Sequence, residues 1–150
     1  MRAYALVAGL VAAVIACGQT TARPPTQHLV FTGPAAGTLT DATTQCLVFA
    51  AQAQANYHFD GRLGGQPLSL NIQIHSGYKG AGTYPVGTLL DGAGELRLQI
   101  GDYVGSSTTG AGTVTFDPGQ KTGSVDAQLS QGEQVKGTFA CAGVGSASFP

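Results

Sequence analysis

The sequence predicts an all-β fold, a single antiparallel β-sandwich or small barrel of about seven to nine strands. Three features predict it. Apolar residues recur at every second position over several short runs, the period of a strand with one wet face. Turn-forming segments punctuate those runs, with 23 Gly and 7 Pro in 150 residues. No stretch carries a convincing helical period: the Ala-rich segment 50–55 has the propensity, but it alternates and sits among β-rich neighbours.

Leu29 to Thr32 and Gln45 to Ala50 read as short strands. From Gln52 to Leu63 the alternation is nearly unbroken, with Ala55, Tyr57, Phe59 and Leu63 on one parity and Asn56, His58, Asp60 and Arg62 on the other. After Gly64-Gly65 it resumes with Leu68, Leu70, Ile72 and Ile74 against Ser69, Asn71, Gln73 and His75, which is a hairpin signal. A two-residue turn sets Phe59 opposite Leu70 and Tyr57 opposite Ile72; a four-residue loop sets Phe59 opposite Ile72. Both keep the apolar face together, so parity leaves the register open.

Downstream, Asp91-Gly92-Ala93-Gly94 is turn-like and precedes Leu96, Leu98 and Ile100, which alternate with Glu95, Arg97 and Gln99. Val114 and Phe116 lead into the turn Asp117-Pro118-Gly119-Gln120, and Val125, Ala127 and Leu129 return. Past Gly132, Val135, Phe139 and Cys141 share one parity, which requires an odd-length loop after Leu129. A weaker strand runs from Val144 to Phe149.

Only 10% of residues are charged and the formal net charge is −1, so the chain lacks the clustered Lys and Arg that nucleic acid demands. At 43% apolar it also falls outside the composition of disordered chains. Beyond residue 16 the large aliphatics and Phe number 28 of 134 residues, a thin supply for a core.

Met1-Arg2 is a short basic start, and Ala3 to Ala16 is an uncharged stretch of 14 residues, too short to span a bilayer as a helix. It ends in Val14-Ile15-Ala16-Cys17, which resembles the lipobox of bacterial lipoproteins. In that family the Cys is lipidated on sulfur, cleavage occurs before it, and the new N-terminus is usually acylated. The resemblance implies a signal peptide over 1–16 and a lipidated Cys17. It places the protein, exported, on the outer face of the cell membrane or outer membrane, with the bilayer as its first partner. Residues 17–27 then form the lipidated Cys and a flexible tether, whose Pro24-Pro25 favours an extended course, and 28–150 form the β-domain.

Cys46 and Cys141 remain. They have no Cys-x-x-Cys spacing for redox work and no paired spacing for zinc, and an exported compartment lets them bond. Closing a loop of about 95 residues stabilises by on the order of 4–5 kcal/mol in chain-entropy models. A bond from an early strand to a late one is immunoglobulin-like in outline, although the Trp expected beside such a bond is missing. The whole chain also resembles, in outline, the small Gly-rich lipoprotein antigens of mycobacteria and their relatives, which join a lipobox, a Thr/Pro tether and a two-Cys β-domain. No motif inside the domain is shared, so no functional residue carries over.

No nucleophile elbow, metalloprotease helix, phosphate loop or dinucleotide fingerprint is present, and no catalytic residue or cofactor is predicted. Asp91 and Glu95 flank a Gly-rich turn and read as turn residues. His58, Asp60 and His75 share the wet face of the first hairpin. Only the four-residue loop would bring His75 diagonal to His58, where two imidazoles could reach one metal ion, so a secreted metal-binding protein or hydrolase is the second reading. The first is a non-catalytic domain that presents Gly- and Tyr-bearing loops to an envelope or extracellular protein or glycan. Tyr78, Lys79, Tyr84 and Tyr103, in or beside Gly-rich segments, would supply the contacts.

Overall fold

The computed structural model describes residues 26–87 and 93–147, the side chains of 108–111 excepted. The signal peptide, Cys17, most of the tether, Asp91-Gly92 and the last three residues lie outside the described residues.

Among the described residues eleven strands follow one another: β1 His28–Thr32, β2 Gly37–Leu39, β3 Ala42–Phe49, β4 Gln54–Leu63, β5 Gln66–Ile74, β6 Gly82–Val86, β7 Gly94–Ile100, β8 Tyr103–Phe116, β9 Thr122–Leu129, β10 Gln134–Ala140 and β11 Val144–Ser146. They form one sheet in the order β11-β3-β4-β5-β7-β6-β8-β9-β10-β1-β2, with β7 also paired to β8. Pairing is antiparallel except where β11 meets β3 and at a single β6–β7 bridge.

Strand twist accumulates across so wide a sheet, and the sheet rolls over on its apolar face. The rings across the interior show it. Tyr57 on β4 lies 4.7 Å from Phe116 on β8 and 5.9 Å from Phe139 on β10, measured between ring centroids, although these strands are far apart in sheet order. At the seam, Cys46 on β3 bonds to Cys141 just after β10, with Cα atoms 6.3 Å apart, and the Ala142 amide donates to Thr44 Oγ1 at 3.3 Å. The bond therefore closes the seam of the roll as well as linking an early strand to a late one.

The all-β class and the small sandwich-or-barrel outline are as the alternation predicts, and the core is filled by the alternating residues. In β9 and β5 burial follows the parity read from the sequence. Two added strands explain the count of eleven: β2 has only three residues, and β6 contains Pro85. Residues 105–110 of β8 are Gly, Ser and Thr with no apolar period, and read as loop. The loop between β9 and β10 is odd, as parity requires: Gln128 pairs with Gln134 across five residues, and Ala127 meets Val135.

The structure also resolves the first hairpin. Leu63 pairs with Gln66, Phe59 with Leu70 and Tyr57 with Ile72, the register of the two-residue turn. Gly64 and Gly65 both have positive φ, 57° and 85°, which this turn requires and which Gly adopts without a Cβ clash.

Candidate functional site

The end of the barrel marked by the Asp117-to-Gln120 turn is plugged by tyrosines. Tyr78 follows β5 and Tyr84 lies in β6; both are buried, and their rings stack with centroids 5.4 Å apart against Phe116. The Tyr57 hydroxyl donates to the Gln120 carbonyl at 2.9 Å, and the Tyr78 hydroxyl to Gln120 Oε1 at 2.9 Å. Tyr84 donates to the Gly80 carbonyl at 3.0 Å and accepts from the Lys79 amide at 2.8 Å, so it ties its own loop shut. Burial pushes the Tyr57 and Tyr78 hydroxyls above the ordinary phenol range, and both stay neutral donors.

The expected patch of Tyr78, Lys79, Tyr84 and Tyr103 is thus not one surface. Tyr78 and Tyr84 spend their rings in the core, and of this trio only Lys79 is exposed. Tyr103 opens β8, where Ile100 is its pair, at the opposite end of the barrel, and the hydroxyl on its half-buried ring donates to the Ser130 carbonyl at 2.8 Å. The reason is the supply of partners: Tyr57 and Gln120, distant in sequence, satisfy the Tyr78 hydroxyl, and the backbone of its own loop satisfies that of Tyr84, so burial of both is cheap.

The histidines do not converge either. The two-residue turn sets His58 opposite Asn71, and His75 follows Ile74, whose partner is Ala55. Each imidazole has its own carboxylate: His58 Nε2 lies 3.0 Å from Asp60 Oδ2, and His75 Nε2 lies 2.8 Å from Glu95 Oε2. Arg97 Nε completes the second group, 2.8 Å from Glu95 Oε1. Burial works to raise the Glu95 carboxyl, but the bonds from Arg97 and His75 outweigh it and hold the carboxyl below its ordinary range. Among the described residues no three His, Cys, Asp or Glu side chains are placed to hold a metal ion.

What the register builds instead is a polar grid on the outer face of β3, β4, β5 and β7. One row is Leu47, Asn56, Gln73 and Glu95; the next is Gln45, His58, Asn71 and Arg97; the third is Thr43, Asp60, Ser69 and Gln99. Leu47 is its one apolar member. On β9 and β10 the outward side chains, such as Ser124, Asp126 and Lys136, are exposed, whereas Asn56, His58, Ser69, Asn71 and Gln73 are only half-exposed. The grid residues pack on one another. Asn56 Oδ1 and Asn71 Oδ1 are shielded from solvent and have no hydrogen-bond partner in the protein.

Three depressions surround the His58–Asp60 pair. One of about 580 Å³ runs between the β2–β3 corner and β4, lined by Thr38, Thr40, Asp41, Asp60 and Arg62 among others. A second of about 290 Å³ shares Asp60 and extends over Ser69 and Gln99. The third, about 210 Å³, lies between Gln45, Leu47, Asn56 and His58. The corner reaches β4 because residue 61 is Gly: a Cβ there would stand 2.6 Å from Leu39 Cδ1.

One further ionisable group is fully buried. Glu133, after the Ser130–Gly132 turn, accepts from the Ala35 amide at 3.1 Å through Oε2, while Oε1 has no partner. Burial raises its carboxyl above the ordinary range, and the Ala35 bond offsets this only in part.

No known protein family matches the chain, and neither the curated proteins nor the solved structures contain a significant relative.

Proposed function

We propose that the chain is an exported lipoprotein, held to a membrane through acylated Cys17, whose β-domain works without catalysis by presenting its outer surface to an envelope or extracellular partner. The observation that carries the reading is the Cys46–Cys141 bond, with the two residues 95 apart in sequence. Such a bond persists in oxidising, exported compartments and not in a reducing cytosol. The lipobox-like Val14-Ile15-Ala16-Cys17 supplies the matching address. The filled interior supports a surface role: the rings of Tyr57, Phe59, Phe116 and Phe139 pack together where a hollow barrel would hold a ligand.

The test is fractionation of a Cys17→Ser variant. Loss of the acyl chains should move the protein from the membrane fraction to a soluble or unprocessed form, because two or three chains, and no spanning segment, would hold it there. Detergent-dependent fractionation that is unchanged in this variant would overturn the lipoprotein reading.

A further inference from the structure

We infer that the barrel stands on the bilayer, with the end that carries Lys79 and Lys121 docked on anionic lipid headgroups and the opposite end held outward. The inference rests on the lipoprotein reading above and adds to it an orientation and a second, non-covalent contact with the membrane.

Gln27 decides which end lies toward the membrane. It is buried, and its carboxamide takes up both polar groups of the Ala140 backbone: Nε2 donates to the carbonyl at 2.7 Å, and Oε1 accepts from the amide at 2.7 Å. The segment that leads back to Cys17 therefore leaves the fold beside Ala140. From there a line of contacts reaches both lysines. The Cys141 amide donates to the Lys121 carbonyl at 2.7 Å, the preceding Gln120 accepts from the Tyr57 and Tyr78 hydroxyls, and Lys79 follows Tyr78. Lys79 and Lys121 are exposed, and neither is in an ion pair among the described residues. Asp117, the acid of the same turn, is bonded to Thr122 Oγ1 at 2.7 Å. The end around Gly64-Gly65 has the reverse balance. Asp41, Asp60 and Arg62 line one depression there, a second joins Asp60 to Gly101, and the exposed Asp102 follows Gly101. A negatively charged surface thus attracts the exit end and repels the far one.

The length of chain outside the fold points the same way. Gln27 is ten residues on from Cys17, and a flexible tether of that length has an r.m.s. span of about 17 Å. Setting the far end on the bilayer would lift the exit by the height of the barrel, roughly 25 Å for the ten residues of β4 once strand tilt is allowed for. Setting the exit end down needs no such extension. The tether also keeps the lysines at an effective concentration on the order of millimolar, so a contact too weak for a free protein becomes populated. Each lysine brought to an anionic surface shifts that population about fivefold.

The chain has no Trp, so a single introduced indole reports its own position. Pro118→Trp and Ala142→Trp place it at exposed sites of the exit end; Val104→Trp places it at the far end, where Val104 pairs with Gln99 beside the 101–102 turn. Each protein is purified with detergent from the membranes of its expression host and reconstituted into vesicles that contain a nitroxide-headgroup lipid, with or without phosphatidylglycerol. Both exit-end probes should be quenched, more strongly with phosphatidylglycerol than without it, while the Val104→Trp probe stays bright. Lys79→Gln and Lys121→Gln, each added to an exit-end probe, should each lower the ratio of docked to undocked protein about fivefold. Melting curves check that every variant is folded. Equal quenching at the two ends, quenching indifferent to phosphatidylglycerol, or quenching indifferent to both lysine substitutions would overturn the inference. Recovery of the protein from the soluble fraction would overturn the lipoprotein reading and this inference with it, and that outcome is read before any quenching is measured.

Discussion

His58 faces Asn71 across the β4–β5 hairpin, and this one pairing separates the two histidines that a longer loop would have brought together. His75 lies four residues along from the row of His58, about 13 Å at strand rise, and each ring is already beside its own carboxylate. Zinc should therefore leave the melting temperature unchanged, since a native-state site would stabilise by mass action as the ion exceeds its dissociation constant. A zinc-dependent rise that disappears in His75→Ala would show that the two imidazoles reach one ion.

The seam bond should dominate the stability of so thin a core. Cys141→Ser should cost on the order of 2–5 kcal/mol, because it frees a closed loop of 95 residues and leaves a buried thiol at Cys46. Urea titration of the variant against the parent gives the number directly. If thiol titration of the unfolded, unreduced protein finds both cysteines free, the bond is absent and the cost will be too.

The tyrosines should behave as core and not as contacts. Tyr78→Ala removes a buried ring packed on Tyr84 and Phe116 and should cost about 3–5 kcal/mol, the range for large aromatic truncations. Tyr78→Phe keeps the ring and loses only the bond to Gln120, for a cost of about 1 kcal/mol. Urea midpoints of the pair should therefore differ strongly. A Tyr78→Ala protein as stable as its parent would place that ring on the surface after all.

The contrast between these residues shows what the sequence could reveal. Parity put Tyr57, Phe59, Leu70 and Ile72 on one inward face because the strand period is local. It could not choose between turn lengths, since both pair odd residues with even ones, and so the row that joins His58 to Asn71 and Arg97 stayed hidden. Tyr78 sits outside any alternating run. Its burial depends on Gln120, 42 residues away, and no local pattern encodes that contact. β6 and the first half of β8 were illegible for a different reason: Pro85 and a Gly/Ser/Thr run form strands there because neighbours already offer paired edges.

Glu133, buried with a single backbone donor, should make stability depend on pH. Its folded carboxyl titrates above its unfolded range, so the protonated form is the one the fold favours. The stability this contributes is complete below the unfolded value near pH 4.3 and is lost as pH rises through the raised folded value. Once ionised, the carboxylate is enclosed with one backbone donor and an unpartnered Oε1. Glu133→Gln removes the charge but keeps an oxygen for the Ala35 amide. The stability of Glu133→Gln minus that of the parent should therefore increase steadily from about pH 4 to pH 7, with the variant the more stable at the upper limit. Urea unfolding at a series of pH values measures it. A difference that stays flat across this window, or that falls with pH, would mean that the Glu133 carboxylate is better solvated or better paired in the folded protein than its burial implies.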